Sequence, residues 1–213
     1  MMDKHGISRM IKLGVTLAAF SAAACVMLAF VHIGTEKKRE ERRLTDLEAA
    51  LGEVFPQADS FEPIAEIESA DVSVSIESGY AAVKDGEIAG AVLSLSRGAY
   101  GGPIKVLVGV SAEGHITGVK ILEHSETPGL GAHAASPSYF VDKQRKITFH
   151  GQFAGKKVTD DFTVKNDVIA ITASTVTSHA VSASVKAAGL AVKAWLAGEN
   201  VEAVSGASTG AGE

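Results

Sequence analysis

The sequence predicts an α+β protein: an antiparallel sheet with flanking helices, preceded by one N-terminal transmembrane helix. Three observations carry this reading. Residues 13–35 contain no fully charged side chain, and 23 residues at 1.5 Å each cover a hydrocarbon core of roughly 30 Å. Asp85-Gly86 and Glu113-Gly114 each lie between two apolar runs, the pattern of a β-hairpin. Val181, Val185, Ala188, Val192 and Trp195 recur at spacings of four, three, four and three, the apolar stripe of a closing helix.

The first element is the membrane segment. Its rival is a lipoprotein-type signal peptide, because Lys4, Arg9 and Lys12 form a basic start and Ala22-Ala23-Ala24 precedes Cys25. Apolar sequence continues past Cys25 through Val26, Met27, Leu28, Phe30, Val31 and Ile33, and Ala22 stands where a larger aliphatic residue is usual. Both points favour an uncleaved anchor. Orientation is open on charge alone: three basic residues and the α-amino group precede the span, while Lys37, Lys38, Arg39, Arg42 and Arg43 follow it, diluted by Glu36, Glu40 and Glu41.

Beyond the span, Leu44, Leu47, Leu51 and Val54 continue a helical period until Pro56. The period then changes to two at Val72, Val74 and Ile76. Strands are expected over 80–84 and 87–95, then over 104–111 and 115–123. A Gly/Pro-rich loop follows, with a short helix expected near 132–143 and a strand around 158–164. After the closing helix, residues 198–213 are Gly, Ala, Ser, Glu and Val with few other residues, and read as a flexible tail.

Composition narrows the function. Of 213 residues, 46% are hydrophobic and 21% charged, which fits one globular unit with an appendage. Residues 1–43 carry eight Lys/Arg and four Asp/Glu, leaving 12 basic and 21 acidic residues for the remainder. An acidic globular part argues against nucleic acid as a partner. The single Cys25 excludes an internal disulfide framework and a Cys-based zinc or iron–sulfur site. Redox chemistry in this chain therefore calls for an organic cofactor. Walker-type phosphate loops, dinucleotide fingerprints, His-Glu-x-x-His and Ser nucleophile elbows are all missing, and His115, His124, His133, His150 and His179 lack metal-ligand spacing.

Two clusters remain. The first, Glu123-His124-Ser125-Glu126-Thr127-Pro128-Gly129-Leu130-Gly131, leaves a strand. Its glycines permit close approach of backbone N–H groups to a planar ligand, with Glu126 and Thr127 as orienting polar groups; an ordinary strand-to-helix turn is the plainer alternative. The second, Thr172-Ala173-Ser174-Thr175-Val176-Thr177-Ser178, precedes the closing helix, where free N–H groups and the dipole suit a phosphate. Ser and Thr are also ordinary helix caps.

Together with Gly101-Gly102-Pro103-Ile104-Lys105-Val106-Leu107-Val108-Gly109-Val110 and Ile121-Leu122-Glu123-His124, these clusters resemble the RnfG (RsxG) family, a component of the Rnf electron-transport complex. The related NqrC family, from the sodium-pumping NADH:quinone oxidoreductase, shares the same FMN-binding domain. The resemblance covers nearly the whole chain, and Glu126-Thr127-Pro128-Gly129-Leu130-Gly131 is its most specific motif.

The resemblance implies FMN joined through its phosphate to a threonine hydroxyl in a motif close to Asp-x-x-Ser/Thr-Gly-Ala-Thr, by a separate flavin transferase that consumes FAD. Thr175 matches the acceptor and Thr172 the Ser/Thr position, whereas Ala173, Ser174 and Ile169 replace Gly, Ala and Asp. Thr172, Ser174, Thr177 and Ser178 are expected around the phosphate. Glu126, Thr127, Gly129, Leu130 and Gly131 are expected at the isoalloxazine or ribityl group. A second imitation, Glu202-Ala203-Val204-Ser205-Gly206-Ala207-Ser208, has only five residues after it and no helix to meet a phosphate.

The implied function is a redox-carrier component of an ion-translocating oxidoreductase complex, passing electrons between NADH and ferredoxin, with no complete catalytic cycle of its own. Its partners are the other proteins of the Rnf complex and the flavin transferase. The implied layout is a cytoplasmic N-terminus (1–12), a transmembrane helix (13–35), a juxtamembrane helix (36–56), an FMN-binding domain (57–197) on the periplasmic side of the cell inner membrane, and the tail. An anchored flavin sensor, the NqrC component of the sodium pump, and a non-catalytic lipoprotein are the alternatives.

Overall fold

The computed structural model describes residues 4–65, 67–69 and 71–199. The chain divides into two compact units, Met1–Glu48 and Ala49–Glu213. Helix α1 (Lys4–Val54) forms the first unit and enters the second. Within it, Leu13–Phe30 is long and apolar enough to cross a membrane, and all its side chains are exposed. Thr16 and Ser21 donate their hydroxyls to the carbonyls of Leu13 and Ala18, at 2.9 and 3.0 Å, so these polar groups are satisfied within the helix, as an apolar surrounding demands.

The second unit is built on one five-stranded antiparallel sheet in the order β1-β2-β3-β4-β5, where β1 is Ser60–Ile64, β2 Val74–Lys84, β3 Glu87–Gly98, β4 Pro103–Ser111 and β5 Ile116–Glu123. This is the architecture expected from the sequence. Asp85 and Gly86 turn β2 into β3 with φ of 52° and 82°, the left-handed pair that a two-residue hairpin needs. Strand β1 is an addition to the expected elements. It lies at the sheet edge, where Pro63 can be accommodated without its missing N–H breaking a ladder on both sides.

Alternate residues of the strands face opposite layers. Ala91, Leu93, Leu95, Val106, Val108, Val110, Val119 and Ile121 share the main core with α2 (Thr175–Ala194), which contributes Val181, Val185, Ala188 and Val192. Apolar enough for a membrane by composition, α2 is mostly buried, as a core helix is. On the other face the last turn of α1 buries Leu51, Val54 and Phe55. Paired Gly109 and Gly118 make room there: a Cβ on Gly118 would stand 2.7 Å from Val54 O, and one on Gly109 2.8 Å from Val54 Cγ1. Thr117 Oγ1 donates to Val54 O at 2.8 Å, and Lys120 pairs with Glu53.

Two expectations are corrected. In place of a helix over 132–143 there is a 3-10 turn, Gly131–Ala135, then β6 (Phe140–Asp142) paired with β7 (Ile147–Thr148). Ser136, restrained by Pro137, has ψ of 122° and leaves the helical region. The strand expected over 158–164 is a run of turns with only the isolated bridges His115–Lys157 and Val164–Val168 nearby. Phe162 and Lys165 have φ of 52° and 79°, which no strand accepts. Val72, expected in a strand, is exposed in the turn before β2. Most of the tail, including Ser208, lies outside the described residues.

Candidate functional site

Thr175 opens α2, and Ser174 is the residue before it, with φ −137° and ψ 50° and no side-chain capping bond. A turn closed by Ser174 N donating to Ile171 O at 3.0 Å leads into it. Ala173, in that turn, has φ of 59°. It occupies the motif position where glycine is expected, and the left-handed backbone explains that preference. Thr172, Ala173, Thr175 and Val176 are exposed, while Ser174, Thr177 and Ser178 are buried. Ser178 Oγ donates to Ser174 O at 2.9 Å and accepts from Ile171 N at 3.0 Å, which ties the entering chain to the first turn.

The second cluster meets this turn through one side chain. Glu126 is buried, and its Oε2 accepts from Thr177 Oγ1 at 2.8 Å while its Oε1 accepts from Gly101 N at 2.9 Å. Gly131 packs into the same contact, since a Cβ there would collide with Glu126 Oε2 and stand 2.8 Å from Thr177 Oγ1. Between these fixed points Thr127, Pro128, Gly129 and Leu130 are exposed, with Gly129 at φ 81°. Thr127 O closes the tip by accepting from Leu130 N at 3.1 Å and Ala132 N at 3.3 Å. Behind it His133 stacks on Tyr139, ring centroids 4.0 Å apart.

The sequence-selected residues therefore fall into two groups. Thr175, Thr172, Thr127, Gly129 and Leu130 face solvent around the junction of loop and helix. Glu126, Thr177, Ser178, Ser174 and Gly131 are buried beneath it, and the first three spend their polar side-chain atoms on bonds inside the protein. Sequence reasoning missed two supports. Gly101 N is one, and Gln152 is the other: its Oε1 accepts from Ile169 N at 2.7 Å and its Nε2 donates to Ile169 O at 3.1 Å. The second contact fixes the backbone where the motif has Asp. Neither has a local sequence signal, because each partner lies 17 or more residues away.

An open groove of about 570 Å³ borders the start of the loop, with Glu77, Lys105, Glu123, His124 and Ser125 among its walls. Lys105 reaches Glu77 at 3.2 Å and Glu123 at 3.6 Å. A hydrogen bond to Glu77, with the charges of both carboxylates, holds its ammonium above the usual lysine range. Among the described residues, no three His, Cys, Asp or Glu side chains gather in a way that could hold a metal ion.

Comparison with known proteins places this geometry. Residues 1–54 match the family model for the RnfG N-terminal region, and residues 99–189 match that for the FMN-binding domain. The chain is 32% identical over 191 residues to the RnfG-type component of the Na(+)-translocating ferredoxin:NAD(+) oxidoreductase complex of Acetobacterium woodii, covering 82% of this chain and 87% of that one. The chain belongs to the RnfG family. It is also 32% identical over 185 residues to the corresponding component of the ion-translocating oxidoreductase complex of Methanosarcina acetivorans, covering 85% and 92% of the two chains. The equivalent protein of the Vibrio parahaemolyticus complex is 33% identical over 158 residues, 70% of each chain. In this RnfG chain the FMN-binding match contains Gly101, the Glu126–Gly131 loop and the first turn of α2, and so takes in every part of the junction.

The residues fit FMN. The first turn of α2 lacks a capping side chain and carries an exposed hydroxyl at its first position, which suits a phosphate. Exposed Leu130 and Val176 offer apolar surface near it for a flavin ring.

Proposed function

We propose that this RnfG chain is a redox carrier within an ion-translocating oxidoreductase complex, with FMN held by a phosphoester on Thr175 Oγ1. The carrying observation is the position of that hydroxyl: exposed, first in α2, and two residues from the bond that fastens the Glu126–Gly131 loop to the helix. Bound FMN supplies one-electron and two-electron exchange. The chain supplies placement. The N–H groups and dipole of α2 face the phosphate, Thr172 stands beside it, and the tip formed by Thr127, Gly129 and Leu130 flanks the ring system. A covalent link removes dissociation as a route of loss.

Electrons pass between NADH and ferredoxin through the assembled complex, and this chain provides one relay rather than a complete cycle. Its partners are the other membrane and iron–sulfur proteins of the complex, together with a flavin transferase that transfers FMN from FAD to Thr175. The apolar segment of α1 anchors the chain in the cell inner membrane as an uncleaved single pass, with residues 57–197 on the periplasmic side.

The test is in-gel ultraviolet fluorescence of denatured full-length protein made together with the transferase. Wild type and Ser208→Ala are expected to fluoresce and Thr175→Ala to be dark. Fluorescence in Thr175→Ala would move the attachment elsewhere. Co-purification with iron–sulfur and membrane proteins of the complex supports the carrier role, and a fluorescent chain that purifies alone from its native membrane would favour a sensor.

A further inference from the structure

Three separate segments converge on Glu126. Gly101 N, in the turn between β3 and β4, donates to one carboxylate oxygen, and Thr177 Oγ1, in the first turn of α2, donates to the other. Gly131, at the far end of the loop, packs against the second oxygen so closely that no side chain fits between. Each clasped residue follows an exposed apolar one: Tyr100 precedes Gly101, Leu130 precedes Gly131 and Val176 precedes Thr177, with exposures of 76, 40 and 55%. Large apolar side chains left this open are unusual around a buried acid, and a single carboxylate fixes the backbone beside all three.

We infer that Glu126 is a positioning residue for the flavin, acting through Thr177, Gly101 and Gly131 rather than by touching the ring. This rests on attachment at Thr175. The Glu126 carboxylate is buried with both oxygens engaged, so its effect on the cofactor passes through the segments it holds. By locking the 99–102 turn and the 127–131 loop onto the helix start, it sets where Tyr100, Leu130 and Val176 stand around the Thr175 ester. A ring tethered by a flexible ribityl chain then finds one apolar seat instead of many.

Isosteric replacement separates positioning from charge. In Glu126→Gln the amide oxygen can accept from Gly101 N and the amide nitrogen can donate to Thr177 Oγ1, whose own hydrogen can turn to a backbone carbonyl one helical turn back. The clasp survives without its charge. Glu126→Ala removes both arms, and Thr177→Val removes one while keeping the shape of the side chain.

The experiment uses the full-length chain in detergent, made with and without the transferase. In-gel fluorescence scores the label. Iodide quenching and visible circular dichroism of the attached flavin score its seating, and hydrogen exchange at Gly101 N scores the clasp in unlabelled protein. Expected results are faster Gly101 exchange, by about tenfold or more, with increased quenching and weakened dichroism in Glu126→Ala, and near-wild-type behaviour in Glu126→Gln. Thr177→Val should raise quenching and weaken dichroism while leaving Gly101 protected, and it carries the test if Glu126→Ala does not fold. Unchanged quenching and dichroism in either clasp-breaking variant overturns the inference. So does Glu126→Gln behaving like Glu126→Ala, which would mean that the charge itself acts on the ring. A wild-type chain without label would instead overturn attachment, while Gly101 exchange still reports on the clasp.

Discussion

Glu126 Oε2 and Thr177 Oγ1 lie 2.8 Å apart, joining a loop and a helix that are 51 residues apart in sequence, and both side chains are buried. A buried carboxylate oxygen deprived of its donor retains the cost of leaving water. Thr177→Val should therefore lower unfolding free energy by about 1–3 kcal/mol, and Thr177→Ser should recover most of it. Urea denaturation followed by tryptophan fluorescence, which reports on buried Trp195, measures both.

Ala173 sits at φ 59°, a region that costs a non-glycine residue roughly 1–2 kcal/mol. Part of the gain from relieving it is returned as extra freedom of the unfolded chain. Ala173→Gly should stabilise the domain by about 0.5–1 kcal/mol, seen as a higher Tm in the unlabelled chain. A lower Tm would show that the turn is not strained.

Thr175 is exposed, and no packing depends on its methyl or hydroxyl group. Thr175→Ala should change stability by no more than about 0.5 kcal/mol while abolishing fluorescence of the denatured band. Loss of both fold and fluorescence would undermine the assignment of this residue as a simple attachment point.

Gly118 faces Val54 O, where a Cβ would stand at 2.7 Å. Gly118→Ala should cost about 1–3 kcal/mol through overpacking, and it should expose the end of α1 to protease. Equal resistance of variant and wild type to limited proteolysis after residue 48 would contradict this.

Asp71 is held below the ordinary carboxylate range by hydrogen bonds from the Ser73 hydroxyl and Ser73 N–H, assisted by Arg97 at 3.3 Å. A lowered folded-state value means that its stabilisation is present above the ordinary aspartate value of 3.8 and fades as pH falls through the lower folded value. Acid unfolding curves should be shallower for Asp71→Asn than for wild type in that window, with the two converging at the acid end.

The hairpins were legible because Asp85-Gly86 and Gly114 advertise left-handed backbone, and turn chemistry is local. The closing helix was legible from the spacing of Val181, Val185, Ala188 and Val192, all of which are buried. What escaped was non-local. The 154–174 segment has no period of its own and is held by core contacts of Phe162, Val168 and Ile171. At the site, the helix start could be read from its hydroxyls and the loop from its glycines. That Glu126, Thr177 and Ser178 turn inward could not, because only the packing of α2 against the sheet decides which hydroxyls remain outside.

The uncapped first turn of α2 has a consequence for the life of the protein. A phosphate fastened beside it would supply the acceptors that Ser174 does not, so maturation would staple the helix as well as colour the chain. Freshly made copies that have not met their modifying enzyme would keep a frayed, protease-sensitive edge at residues 172–176, and the cell could tell finished relays from unfinished ones by that edge alone.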